Sequence, residues 1–243
     1  GTEIGLYDIE VTGNVNTGSS YTDFGVVILY GNGWADNIVV AGNSGGMKLD
    51  AYSSSHLQTL TNATIVGNDY DGLMVSSTWY SQIHLTNVIS AYNGRYGIDN
   101  TGSYDPEQAY SDVYGNSSGD YNGMTDPTGS DGNISVDPDI HSYSSSLPLS
   151  QLDLHLAPGS SLFDAGDPGI TDGDGSSSDI GAYSGDYTDY SYFDDADGDG
   201  MWDGWEADHG LDSSFDDSGV DSDGDGLDNA AEFVQGTDPA SAD

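Results

Sequence analysis

Carboxylates toward the C-terminal end of the sequence fall in a spacing suited to hard cations. The run Asp195-Ala-Asp-Gly-Asp-Gly-Met-Trp-Asp-Gly-Trp-Glu206 is acidic at its first, third, fifth, ninth and twelfth positions and has glycine at the sixth. A second run, Asp221-Ser-Asp-Gly-Asp-Gly-Leu-Asp-Asn-Ala-Ala-Glu232, begins 26 residues later. Both satisfy D-x-[DN]-x-[DN]-G-x5-E at every specified position, which is the spacing of a calcium loop. Calcium takes six to eight oxygens at about 2.3–2.6 Å. The expected single-oxygen donors are Asp195, Asp197 and Asp199 in one loop and Asp221, Asp223 and Asp225 in the other. The carbonyls of Met201 and Leu227 add a seventh-position oxygen. Asp203 and Asn229 stand ninth, binding directly or through water, and Glu206 and Glu232 close each loop with both oxygens. One such match can arise by chance, but two in tandem argue for two calcium sites. A looser group, Asp167, Asp172, Asp174 and Asp179, is a weaker candidate for a third; turn-forming Asp and Gly account for it nearly as well.

The elements expected to hold these loops are short. Helices over 202–209 and 227–235 end at Gly210 and Gly236, where a left-handed C′ residue is favoured. Upstream, 187–193 and 215–218 show no helical pattern, so each loop is followed but not preceded by a helix. The module resembles thrombospondin type 3 and related bacterial calcium repeats more than a sensor EF-hand pair. That resemblance implies structural calcium rather than calcium-triggered opening. Carboxylates packed this closely repel one another until a cation arrives.

The front of the chain is a repeat. Ile38-Val-Val-Ala-Gly-Asn43, Ala63-Thr-Ile-Val-Gly-Asn68 and Val88-Ile-Ser-Ala-Tyr-Asn93 end 25 residues apart, and Asn37, Asn62 and Asn87 keep the same step. Looser copies end at Asn14 and Asn116. A glycine and a short apolar pair follow several of these asparagines, as at Gly46-Met47, Gly72-Leu73 and Gly97-Ile98. A fixed period of this length marks a solenoid, and the two-residue alternation within each unit marks strands. Coils stacked about 4.8 Å apart bring equivalent asparagines over one another, where their amides can bond along the stack. These residues are expected to be turn and ladder residues without chemistry.

The fold class is therefore all-β. The pattern over about 1–125 resembles the right-handed parallel β-helix of pectate-lyase-like and many secreted or cell-surface proteins. The stretch containing Val136-Asp-Pro-Asp-Ile140, Asp153-Leu-His-Leu156 and Ser178-Asp-Ile-Gly-Ala-Tyr183 is similar to the last coil and cap of choice-of-anchor Q domains. The expected organisation is a capped β-helix over 1–185 and a tandem calcium-loop domain over 186–243.

Charge narrows the function. The chain of 243 residues carries 42 acidic and 2 basic side chains, for a formal net charge of −40, and has no cysteine. Nineteen of the acidic residues lie in the last 58 positions, so the tail differs in kind from the rest. Two cations cannot neutralise a phosphate backbone, which argues against nucleic acid as a partner. Thiolate chemistry and disulfides are excluded. No apolar run reaches the length of a membrane span. The sequence starts at Gly1 without a basic, apolar leader, so a signal peptide is either removed or not included. A salt-rich habitat is an alternative source of part of the acidity.

Catalysis is not expected. The pectate-lyase resemblance implies acidic calcium ligands paired with a Lys or Arg base, and here only Lys48 and Arg95 exist. Arg95 is placed one coil above Asp69 and Asp71, where a salt bridge suffices. A hydrolase needs two carboxylates on one face, and Asp50, Asp69, Asp71 and Asp99 form no evident cluster. The five histidines lack metal-ligand spacing. The alternative is a carbohydrate-binding or carbohydrate-cleaving β-helix, with Tyr70, Trp79, Tyr80, Tyr92 and Tyr96 offering faces to a glycan. The favoured expectation is a secreted or cell-surface structural or adhesive protein. Its first coil lacks an evident N-terminal cap, so it is expected to be a homo-oligomer or head-to-tail filament, with the fragment of a longer chain as the other option. Among the glycosylation sequons at Asn62, Asn116 and Asn133, the last is expected to be the most available.

Overall fold

The computed structural model describes residues 4–14, 26–29, 32–80, 82–143, 152–157, 159–172, 175–184 and 195–242. They form two compact units. One comprises Gly1–Pro138 with Ser161–Tyr187; the other comprises Asp139–Ser160 with Thr188–Asp243.

The first unit is a parallel β-solenoid of about four turns. One sheet runs β1 (Ile4–Thr12), β3 (Gly33–Ala41), β5 (Gln58–Val66), β7 (Ile83–Ala91) and β10 (Asp112–Tyr114), with β9 (Glu107–Ala109) also on β7. The facing sheet holds β2 (Val26–Leu29), β4 (Met47–Ala51), β6 (Leu73–Ser77), β8 (Tyr96–Asn100) and β11 (Gly119–Asn122). Every one of these pairings is parallel, because each strand meets its equivalent one coil away. Register therefore stacks like on like: Ile38, Ala63 and Val88 form one inward column, and Ala35, Leu60 and Leu85 another. With Met47, Leu73 and Ile98 from the facing sheet these side chains are at most 1% exposed. Such burial contributes about 25 cal/mol per Å² of apolar surface and is the main force holding the stack.

Each nine-residue strand is two arms joined at a left-handed residue: Asn37 (φ 55°), Asn62 (49°) and Asn87 (55°). The bend shifts the side-chain parity, so positions 60 and 63 both face inward on β5. Asparagine tolerates this conformation better than most residues. Asp8 (φ 51°) holds the place in the first coil, and Tyr110 (48°) and Asp131 (51°) hold it in the last two, with the Tyr110 amide donating to the Asp131 carbonyl at 2.9 Å. Steric room explains the glycine before each facing strand: a Cβ on Gly46 would stand 1.9 Å from the Gly72 carbonyl oxygen.

The second Asn column is an unbroken hydrogen-bonded ladder. The Oδ1 of Asn43 accepts from Asn14 Nδ2 at 3.0 Å, that of Asn68 from Asn43 at 3.2 Å, that of Asn93 from Asn68 at 2.9 Å, and that of Asn116 from Asn93 at 2.9 Å. Asp120 Oδ1 ends the series by accepting from Asn116 Nδ2 at 3.1 Å. Asn133, expected to be free for modification, is instead 1% exposed and donates to the Gln108 carbonyl at 2.8 Å.

Residues 161–184 belong to this unit but run along its flank. The Ala182 amide donates to Thr64 Oγ1 at 3.0 Å, and the Asp167 amide to Asn87 Oδ1 at 2.8 Å. Sequence reading put a coil-end cap here; the contacts go to mid-stack strands β5 and β7, where Thr64 and Ile89 are buried.

In the second unit, β12 (Ile140–Ser142) and β13 (Asp153–Leu156) pair antiparallel. Two helices follow, α1 (Asp203–Asp208) and α2 (Asn229–Gln235). The small core is Met201, Trp205 and Phe233. The His141 ring lies 5.0 Å from Phe233 and 5.7 Å from Trp202, so the hairpin packs with the tail. Residues 139–160 thus join the acidic module, although their motif had suggested the solenoid.

Candidate metal centre

The backbone of the two loops is built by their own carboxylates. In the first, Asp195 Oδ1 accepts from the Gly198 amide at 2.7 Å, and its Oδ2 from Gly200 at 3.1 Å. Asp199 Oδ1 accepts from Met201 N at 2.9 Å. The second loop repeats the set: Asp221 accepts from Gly224 at 2.7 Å and Gly226 at 3.1 Å, and Asp225 from Leu227 at 2.9 Å. Gly200 (φ 93°) and Gly226 (φ 106°) occupy backbone that side-chain-bearing residues rarely adopt. The loops are thus wound around Asp195 and Asp221, which hold backbone amides with both oxygens, while Asp197, Asp199 and Asp223 each keep Oδ2 without a hydrogen bond.

Three carboxylate groups converge, each with ligand atoms within 4.8 Å of one another: Asp195–Asp197–Asp199, Asp199–Glu206–Asp217 and Asp221–Asp223–Asp225. The first two share Asp199, and the third, among the described residues, lies in the second loop. Asp197 Oδ2, Asp199 Oδ2, Asp223 Oδ2 and both oxygens of Glu206 are buried without a hydrogen-bond partner. Buried carboxylate oxygens in that state are costly unless a cation meets them. Burial first, and then the charges of Asp199, Asp197 and Asp217, push the Glu206 carboxyl up to about 7. Burial likewise raises Asp197, helped by Asp199 and Asp195. With only oxygen donors and no thiol or imidazole among them, the sets could hold a hard cation.

The helices close both loops from behind. Glu206 lies on α1 and Glu232 on α2, and both are 0% exposed. Asp228 caps α2 by accepting from Ala231 N at 2.9 Å, and Gly236 (φ 69°) ends it in left-handed backbone. Both helices are shorter at their N-termini than the sequence suggests; 215–218 is non-helical, and 187–193 lies outside the described residues. The ninth-position side chains reach back to the second position of their own loops. Asp203 Oδ1 accepts from Ala196 N at 2.9 Å, and Asn229 Oδ1 from Ser222 Oγ at 2.8 Å. Asp217 is absent from the motif because it belongs to the linker between the loops.

The weaker third cluster is not drawn together among the described residues. Asp167 Oδ1 accepts from Gly169 N at 2.8 Å, a turn-forming bond, and Asp179 Oδ1 accepts from Asp164 N at 2.8 Å, tying two separate segments of the flank. Asp172 is buried, and Asp174 lies outside the described residues.

On the solenoid, both basic side chains are paired. Lys48 lies 3.2 Å from Asp50, while Arg95 lies 3.3 Å from Asp71 and 3.3 Å from Asp99. Asp71 and Asp99 therefore do converge, but on a guanidinium. The aromatic residues separate: Tyr92 stacks on Tyr114 and donates to Asp137, Tyr96 lies under Arg95, and Tyr80 meets Tyr104. Tyr80 also lines a groove of about 570 Å³ with His84, Glu107, Gln108, Tyr110 and Asp131. No helix among the described residues is long and apolar enough to cross a membrane. No protein-family model, curated protein or solved structure matches this chain.

Proposed function

We propose that this chain is a secreted or cell-surface structural protein, a non-catalytic β-solenoid with a calcium-locked tail. The observation that carries the reading is the set of buried Glu206, Asp197, Asp199 and Asp223 oxygens turned into two motif-matched loops. Such a set has no stable partner except a hard cation, and millimolar extracellular calcium supplies one. The tail's likeness to thrombospondin type 3 repeats and the solenoid's to surface β-helices support the same role. Pairing of Lys48 and Arg95 with carboxylates favours structure over lyase chemistry. Among the described residues β1 is the last strand of its sheet, and a strand edge in that position is the kind of template through which head-to-tail assembly would proceed. Electron microscopy of the purified chain with and without calcium tests the role. Fibres or ordered rods with calcium support it; isolated monomers at high concentration with millimolar calcium remove the assembly component.

A glycan-binding reading has one observation in its favour: the Tyr80–Tyr110 groove, in which Gln108 Oε1 is buried without a hydrogen-bond partner. Aromatic faces and an amide suit a neutral sugar, whereas Glu107 and Asp131 repel an anionic one. Binding of a neutral oligosaccharide that Tyr80→Ala abolishes would support it, and silence across a glycan panel would end it.

A further inference from the structure

Resting on the calcium reading above, we infer that Asp217 is a ligand supplied from outside the first loop, and that it links occupancy of that loop to folding of the second. Three observations meet at this residue. Its carboxylate lies within 4.8 Å of ligand atoms on both Asp199 and Glu206, although it falls outside the twelve-residue spacing. Glu206 is 0% exposed and both of its oxygens lack a hydrogen-bond partner, so the space they face is built for a positive charge. Asp203, the residue whose position normally contributes through water, instead spends Oδ1 on the Ala196 amide at 2.9 Å. Asp217 provides an anionic oxygen from outside the twelve-residue loop.

The same residue is tied to the second loop. Asn229 Nδ2 donates to Asp217 Oδ1 at 3.2 Å and to the Asp217 carbonyl at 3.0 Å. The Asn229 amide donates to Val220 O at 2.8 Å, and Ala230 N donates to Ser218 O at 3.0 Å. The linker carrying Asp217 is therefore strapped to the start of α2, which in turn bears Glu232. Ordering of the second loop places Asp217, and an ion in the first loop holds Asp217 against α2. By linkage the effect is reciprocal: each ion tightens the other's site.

The test is calorimetric titration of the full chain with calcium alone, using Asp217→Asn, which keeps an Oδ1 to accept from Asn229. In a background with the second loop silenced by Asp223→Asn and Asp225→Asn, Asp217→Asn weakens the remaining site by about ten- to a hundredfold, the range for loss of a group supporting a metal. With the first loop silenced by Asp195→Asn and Asp197→Asn, Asp217→Asn leaves the remaining affinity within about twofold. Asn229→Ala in the first of these backgrounds gives a smaller loss than Asp217→Asn. Tryptophan fluorescence of Trp205 in saturating calcium confirms that each variant folds. Equal affinities with and without Asp217→Asn in the second-loop-silenced background would overturn the inference, as would equal losses in both backgrounds, which mark a general charge effect. A parent chain that binds no calcium overturns the underlying reading instead.

Discussion

Two kinds of asparagine that look alike in the repeat do different work, and substitution separates them. Asn68 uses its amide to join Asn43, Asn93 and the Val40 carbonyl. Removing it leaves buried groups unsatisfied, so Asn68→Ala is expected to lower solenoid stability by about 3 kcal/mol or more, with Asn68→Gly no milder. Asn62 is held at φ 49°, where a left-handed backbone costs an alanine about 1–2 kcal/mol. Asn62→Gly is therefore expected to be milder than Asn62→Ala; thermal denaturation of the four variants reads the contrast. Glu206 makes a second residue-scale prediction. Its folded carboxyl is raised to about 7 from an ordinary value of 4.5, so without calcium the folded tail holds a proton that the unfolded tail releases. Stability from this group falls as pH rises through that window. In chelator at pH 7.5, Glu206→Gln should leave 195–242 less open to proteolysis than in wild type, with the gap closing toward pH 5. In excess calcium the order reverses, because glutamine is a poorer ligand. The same order in both conditions would show that the Glu206 oxygens do not meet the ion.

At the scale of elements, legibility tracked how locally each feature is encoded. The twelve-residue loops were readable because ligand geometry forces oxygen donors into fixed positions of one short segment. The parallel coils were readable where the step stays at 25, since stacking demands like residues in register. Where loop length between coils changes, the signal fades: Tyr110 and Asp131 take the left-handed bend that asparagine takes elsewhere. The flank segment gave no clue to its partners, because Ser178 bonding to Asn87 is a pairing across 91 residues. The hairpin was equally opaque. Its place is decided by His141 packing on Trp202 and Phe233, and by Asp153, whose carboxylate accepts from His155 Nδ1 at 2.6 Å. Burial pushes Asp153 up, but the bond and charge of His155 outweigh it and hold the carboxyl well below its usual range. Burial among the aromatic rings, in turn, lowers His141. Both shifts have the same sign in stability: each group binds a proton more readily unfolded, so the hairpin's contribution is lost as pH falls. Asp153→Asn should weaken that acid sensitivity and lower the melting temperature of the second unit at neutral pH.

For the whole molecule, a net charge of −40 sets the terms. On the proposed reading, two calcium ions would offset only a small part of it, acting locally on the tail and leaving the self-repulsion of the chain almost unchanged. The solenoid is expected to hold without an ion, because its backbone is paired coil to coil around an apolar cluster. The tail's core, by contrast, is small: among the described residues Met201, Trp205 and Phe233 are its buried apolar cluster, with Trp202, Leu211 and Ala230 packed against it, and on the proposed reading it does not overcome the repulsion of the loops unaided. Limited proteolysis with mass-spectrometric mapping, in millimolar calcium and in excess chelator, tests this division most directly. With calcium, 195–242 should resist cleavage; in chelator that stretch should be cut within the loops while the coils from 33 to 138 stay intact. A tail equally protected in chelator would contradict the account.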